Sequence, residues 1–453
     1  MSWLAPDVAL VAAAVSLFYC LFLFQGYQKL FRDSDAGWHI RNGETILATG
    51  KLPHTDPYSF SRAGQPWFAW EWGSDVLVGA IHGSAGLRGV ALFYAVLIAA
   101  GVWLWFRLHW ALDGNFLLAC ALAPLLLSTC SLHWMARPHV ISWIFLLAAL
   151  WYAEAGKGRL VWVAVLSALW ANLHASFFLG PLILLIYAKP VPAVAAAVAT
   201  LANPYGWHLH QHVYGYLTNS ELLARVAEFQ SFDFHSSGSW EILATVILGI
   251  AAGTLAAAQK RLDRFVLSML FSAMALRSAR ALPLVALLLL PLANASISQA
   301  GLPKRFQAYC ARLRALDDSL LGLAWAPPTI LAAWVLLRWV PVGFPPDQFP
   351  VAAYPHIPAG ARLFAPDKYG GYLIYRGRQV FFDGRSDFYG ADFLKQYGRL
   401  VQVRPGWREY WEPFHFSHAL LPNDAPLLAA LTAVGWRTVY QDRTATLLAG
   451  AGQ

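Results

Sequence analysis

Long apolar stretches separated by short polar breaks run through roughly the first three quarters of the chain, and beyond residue 345 the pattern shortens to the scale of a soluble domain. A stretch of about 17 to 25 apolar residues is long enough to cross a bilayer as a helix. On that measure spans are predicted at 8–28, 86–108, 116–134, 139–155 and 160–177, and again at 240–258, 264–280, 281–297 and 322–341, with a division near Pro283. Two Pro-flanked runs at 178–188 and 190–203 are shorter than about 30 Å of hydrocarbon requires. Including them gives about eleven spans.

The basic residues orient these spans. With the N-terminus cytoplasmic, alternate loops carry Arg107, then Lys157 and Arg159, then Lys189, then Lys260, Arg261 and Arg264, then Lys304, Arg305, Arg312 and Arg314. All of them fall inside, as the positive-inside rule asks. Dropping one short run would invert every later loop, so the charges argue for keeping both. The expected molecule is a mainly α, polytopic membrane protein. Its transmembrane domain covers 1–344, with a first extracytoplasmic loop at 29–85 and an outer loop at 204–239. A small extracytoplasmic α/β domain covers 345–453.

Composition agrees. The chain is 58% hydrophobic and 13% charged, with mean hydropathy +0.46, whereas soluble domains carry roughly 25% charged residues. Its 21 Trp and 18 Tyr suit interfacial belts. The net charge of +8 reports topology, so no nucleic-acid partner is implied. Cys20, Cys120, Cys130 and Cys310 form neither a disulfide nor a zinc framework. The first apolar run has no basic leader and no cleavage site, and reads as a retained span. In the C-terminal part, strands are expected at 361–365, 379–383, 418–422 and 436–449, with helical pieces at 367–375, 389–412 and 424–435. That alternation predicts a partly parallel sheet. No G-x-G-x-x-G or P-loop pattern accompanies it.

Candidate chemistry concentrates in residues 32–73. This stretch holds Asp33, Asp35, Asp56 and Glu71 together with His39, Arg41 and four tryptophans. Acids beside a span often serve as helix caps. A carboxylate among tryptophans near a bilayer also has its pKa raised by desolvation, which suits a general base or a metal ligand. Asp35 and His39 are four apart and would share a helix face, although Gly37 and Gly43 weaken that helix.

Further polar residues sit at the outer span ends, where ionisable groups mark function. They are Arg137 and His139, Asn172 and His174, Asn203, and Arg277 with Arg280. A single arginine can snorkel to the headgroups, but Arg277 and Arg280, three apart, make one cationic spot suited to a lipid phosphate. Asn172 and His174, two apart, would face different ways on a regular helix.

The outer loop adds His208, His210 and His212, which alternate as on a strand or loop, and Glu228, Asp233 and His235. Residues 220–229 read as an amphipathic helix with Ser220 near its N-cap and a Glu221–Arg225 pair. Asp383, Arg385 and Asp387 follow an expected strand and read either as a turn or as acceptor recognition.

These motifs resemble bacterial multi-spanning members of the GT-C glycosyltransferase superfamily. That branch carries D-x-D-x-W-W-H-x-R-x-G-E, then T-D-P-F-S-F-T and E-W. The chain has DSDAGWHIRNGE at 33–44, TDPYSFS at 55–61 and EW at 71–72. The likeness continues through RPH at 137–139, LWANLHASF at 169–177, NPYGW at 203–207, the Arg277 region and residues 369–390. Gly37 stands where the first of two tryptophans is usual, which removes an aromatic contact.

The resemblance implies an enzyme of the bacterial inner membrane, facing the periplasm. It would transfer a sugar from a polyprenyl-phosphate-linked donor to a glycan or protein acceptor. Asp35 or Asp33 would deprotonate or orient the acceptor and Glu71 would assist, while Arg277 and Arg280 stabilise the departing phosphate. His39, Arg41, Asp56, Arg137, His139, Asn172, His174 and Asn203 would line the substrate site. The C-terminal domain would cover that site. A divalent cation, Mg or Mn, is left open, with Asp33 and Asp35 as its ligands. A non-catalytic envelope scaffold or partner subunit and a lipid-linked glycan flippase or polymerase are the alternatives, the second disfavoured by the outward clustering of polar residues.

Overall fold

A computed structural model describes residues 4–156, 158–320 and 322–450. Lys157, one of the basic residues used for orientation, lies outside them. Among the described residues four helices are long and apolar enough to cross a membrane: Val8–Lys29, Trp72–Ala111, Trp240–Ala258 and Ala279–Ala300. The pair Lys304–Asp318 and Leu323–Trp339, bent by 55°, makes a fifth if counted as one span. Shorter apolar helices accompany them at Phe116–Ser131, His139–Ala155, Leu160–Leu173, Ala175–Ile186 and Pro190–Ala199. The last of these has 10 residues and rises about 15 Å, half the depth of the hydrocarbon. The long helices therefore support a multi-pass membrane protein.

The helix Leu282–Ala300 is the axis of the bundle. Every residue from Val285 to Ser296 is buried, as expected of a helix that is apolar all round. Trp105 Nε1 reaches across to donate to its Ala286 carbonyl at 3.1 Å. The expected span at 86–108 is the second half of the 40-residue helix Trp72–Ala111, which kinks at Gly86, where φ is 61°.

Among the described residues four strands form one sheet in the order β1-β2-β4-β3: β1 (Leu363–Phe364), β2 (His418–Pro422), β3 (Arg437–Gln441) and β4 (Ala445–Ala449). The β1–β2 pair is parallel and the other two pairs are antiparallel. Residues 379–383 do not join this sheet, contrary to expectation. Val380 instead forms a lone bridge with Ser59 of the opening loop, which ties the two ends of the sequence together.

Other expectations are corrected in detail. His208, His210 and His212 lie on the helix Trp207–Thr218, where a spacing of two splays them toward Gln211, Thr200 and Asp387 respectively. The single helix at 220–229 is a short helix, Ser220–Leu223, followed by a turn at Ala227–Phe229. Asn219, not Ser220, caps it, accepting from Leu222 N, and the Glu221–Arg225 ion pair forms at 3.3 Å. The piece at 389–412 divides into Ser386–Val401 and Trp407–Trp411. Positive φ at Val403 and Gly406 turns the chain between them.

The helix Asp35–Thr49 packs between Trp72–Ala111 and Asp367–Tyr375. Gly37 explains how it comes so close: a Cβ there would fall on the Gly371 carbonyl. The aromatic expected at this position is thus replaced by backbone of the C-terminal segment.

Candidate active site

Asp33 begins the site. Its Oδ1 accepts from Asp35 N at 2.9 Å, starting the helix Asp35–Thr49. Oδ2 accepts from Arg137 Nη1 at 2.7 Å. Arg137 belongs to the segment between Phe116–Ser131 and His139–Ala155, which is pinned to the opening loop from both sides. Arg32 Nη2 donates to the Ser131 and Leu132 carbonyls at 3.0 and 2.6 Å, and Ala136 N donates to Leu30 O at 2.7 Å. The guanidinium so placed meets three carboxylates: Asp33, Asp35 through Nη2 at 2.9 Å, and Glu228 through Nη1 at 2.9 Å.

Glu228 reaches a second arginine. Its other oxygen accepts from Arg280 Nη1 at 2.9 Å, Arg280 standing in the turn Ala279–Ala281. Burial alone would raise the Glu228 carboxyl, but the Arg137 and Arg280 guanidiniums outweigh it and hold the group well below the usual range. Asp35 is pushed the other way. Burial lifts it to about 8 against the pull of Arg137, with Asp33, Glu228 and Asp383 adding to the rise. It is an acid poised near neutrality, which is where a general base works best.

Glu71, just before the helix Trp72–Ala111, sits between two imidazoles. Its oxygens lie 3.7 Å from His39 Nε2 and 3.4 Å from His174 Nε2, and both of these buried nitrogens lack a hydrogen-bond partner. Asp75 Oδ1 stands 2.6 Å from His39 Nδ1 and its Oδ2 accepts from Asn42 at 2.6 Å, which fixes the imidazole with Nε2 toward Glu71. Burial lowers His39 to about 3, a neutral ring. Burial likewise raises Glu71, with His39 opposing. Ser142 and Ser176 hydroxyls hold His174 Nδ1, each at 2.8 Å.

One cavity of about 790 Å³ joins these groups. Asp35, Glu71, Arg137, His139, His174, Arg277 and Arg280 all line it, and Arg385 and Asp387 reach it from the C-terminal segment. Trp38, Trp67, Trp70 and Trp143 add aromatic wall. Arg277 stands exposed at the end of Leu262–Arg277.

The remaining expected residues lie elsewhere. Asp33 and His39 stand behind the wall as partners of Arg137 and Glu71. Arg41 bonds Tyr375 O and Glu44. Asn172 accepts from Trp72 Nε1, and Asn203 builds the turn leading to Gly206. Asp56 and Asp383 clamp the Arg385 guanidinium, at 2.8 Å from Asp56 and through two 2.7 Å bonds from Asp383. Asp387 pairs with His212 at 3.1 Å.

The sequence reading gave no site role to Glu228 or Asp75. Asp75 carried a signal, since it is an acid in the first turn of the helix that follows Glu71, four residues on. Glu228 falls in the stretch expected as one amphipathic helix, and only the break of that helix into Ser220–Leu223 and Ala227–Phe229 turns it to the arginines.

Among the described residues no group of three or more His, Cys, Asp or Glu side chains could hold a metal ion. Asp33 and Asp35 share the Arg137 guanidinium, so a cation already bridges the two acids that a divalent ion would need. The donor set does not fit a resident metal.

Neither a protein-family model nor a curated protein matches this chain. Among solved structures, the oligosaccharyltransferase of Archaeoglobus fulgidus in its apo form matches with a TM-score of 0.55 at 12% identity, over 91% of this chain and 69% of that one. The same protein tethered with an acceptor peptide containing the NVT sequon matches with 0.55 at 11% identity, over 91% and 68%. The chain therefore shares its fold with that oligosaccharyltransferase.

Proposed function

We propose that the protein is an integral membrane glycosyltransferase that moves a sugar from a polyprenyl-phosphate-linked donor to an acceptor on the extracytoplasmic face. The observation that carries this reading is the meeting of a carboxyl near neutrality, Asp35, and the cations Arg137, Arg277 and Arg280 on one cavity. An acceptor hydroxyl attacks the anomeric carbon and gives its proton to Asp35. The bond from that carbon to the phosphate oxygen breaks, and polyprenyl phosphate leaves with the electron pair. The arginines carry the developing charge, as fixed cations do for a departing oxyanion. Asp33 positions Arg137, and Glu71 with His39 and His174 shapes the wall opposite.

Residues 1–344 form the membrane domain on this reading, with a cytoplasmic N-terminus. Residues 345–453 form an extracytoplasmic domain whose Arg385 and Asp387 face the acceptor. The GT-C-like fold supports the assignment, and the acceptor is a glycan or a protein.

The test is sugar transfer by the purified protein in detergent from a prenyl-phosphate sugar. Asp35→Asn is expected to abolish transfer while the protein elutes and melts as wild type. Retained transfer removes Asp35 from the chemistry. Stable copurification with another envelope protein, together with normal function when Asp33 and Asp35 are both changed to Asn, would favour a scaffold instead.

A further inference from the structure

Glu228 takes one guanidinium on each oxygen, Arg137 on one and Arg280 on the other, both at 2.9 Å. Two arginines each donating to a different oxygen of one anion is also the way guanidiniums hold a phosphate. The carboxylate comes from a segment fixed to the Arg280 turn by few bonds: Ser278 Oγ donates to Glu228 O at 2.9 Å, and Ala279 N donates to Gln230 O at 2.9 Å. Its side chain is a quarter exposed, so it can leave without unpacking a core. Arg280 also lies over the Phe229 ring, 5.6 Å from its centroid.

We propose that Glu228 is a resident anion occupying the seat of the donor's phosphoryl group, and that a prenyl phosphate binds by displacing it from Arg137 and Arg280. This rests on the glycosyltransferase reading above. Without ligand, Glu228 is the carboxylate paired with Arg280 and the third on Arg137, which also meets Asp33 and Asp35, so it neutralises a guanidinium whose unpaired charge would be costly. With ligand, carboxylate and phosphate would compete for the same donors and repel each other. Glu228 therefore opposes binding, whereas a residue that merely oriented the arginines would assist it. The two roles predict opposite signs.

The experiment uses the full-length protein in detergent and measures calorimetric binding of farnesyl phosphate, inorganic phosphate and farnesol. Glu228→Gln is expected to bind farnesyl phosphate on the order of tenfold more tightly than wild type, and Arg280→Gln on the order of tenfold more weakly. Farnesyl phosphate should bind more tightly than inorganic phosphate in both wild type and Glu228→Gln, and farnesol should gain nothing from the change. Weaker binding by Glu228→Gln, an equal gain for farnesol, or tighter binding of inorganic phosphate than of farnesyl phosphate overturns the proposal. If Arg137→Gln and Arg280→Gln both bind farnesyl phosphate as wild type does, the phosphate-site reading itself fails, whatever Glu228→Gln does.

Wild-type protein supplies a check that needs no variant. Amide exchange across residues 224–231 should speed up when farnesyl phosphate is added. Unchanged or slowed exchange there would falsify displacement.

Discussion

Arg137 Nη2 stands 2.9 Å from Asp35 Oδ2, joining a residue of the first loop to one between two later helices. Burial and this pair act in opposite directions on the proton affinity of the proposed base. Burial raises the Asp35 carboxyl from 3.8 to about 8 while Arg137 pulls it down. If transfer needs the ionised form, the rate should climb with pH through a midpoint near 8 and level above it. Arg137→Gln removes the lowering charge, so the midpoint should move to higher pH. A pH–rate profile of the two proteins measures this, and an unmoved midpoint would separate Asp35 from Arg137. In Asp35→Asn the limb should vanish with the loss of transfer, a positioned base contributing about 100- to 10,000-fold.

The same shift has a consequence for stability. The folded protein holds the Asp35 proton up to about pH 8 and the unfolded chain loses it near 3.8. The native state therefore binds more protons in between, and the Asp35 contribution to stability falls as pH rises from about 4 to 8. Against wild type, Asp35→Asn should flatten the decline in thermal stability over that window.

Arg277 and Arg280 should differ in weight. Arg280 is ion-paired beside Arg137, whereas Arg277 stands exposed. Arg280→Gln should lower kcat/KM for the donor by about 100-fold, and Arg277→Gln by only a few-fold, as exposed charges do. Steady-state kinetics with varied donor decides between this ranking and equal roles.

Arg385 joins the opening loop to the C-terminal segment through Asp56 and Asp383, and all three side chains are at most 1% exposed. Arg385→Met would leave two carboxylates buried and unpaired, at a cost of about 3 to 5 kcal/mol. The expected result is a lower melting temperature in detergent, recovered in part when Asp56 and Asp383 are also changed to Asn. An unchanged melting temperature would mean that the clamp contributes nothing.

Gly37→Trp would install the aromatic that the sequence resemblance leads one to expect, yet here it must displace the Gly371 backbone. Loss of about 1 to 3 kcal/mol is expected from such overpacking, read as reduced thermal stability and yield. A stabilised variant would show that the two helices separate readily.

Local pattern made the helices and much of the loop chemistry legible. Apolar runs predict Trp240–Ala258 and Leu282–Ala300 because burying apolar surface is decided residue by residue. The acids at 33 and 35 announce a helix start because capping needs only neighbours a few residues away. Where local geometry competed with distant partners, the reading missed. Residues 379–383 look like a strand, yet Val380 pairs with Ser59, and the segment 220–229 breaks where Glu228 turns to two arginines.

The sequence by itself determined that this chain is built of apolar helices and that its acids and cations gather in a few polar segments, since hydropathy and charge are properties of the residues alone. Tertiary structure decided which charges meet. Arg137 and Glu228 are 91 positions apart, and Arg385 and Asp56 are 329 apart. No period or motif links residues so distant. Coulomb attraction acts on them only after packing has removed the water between them, and that packing gives Asp35, Glu228 and Arg280 their common site.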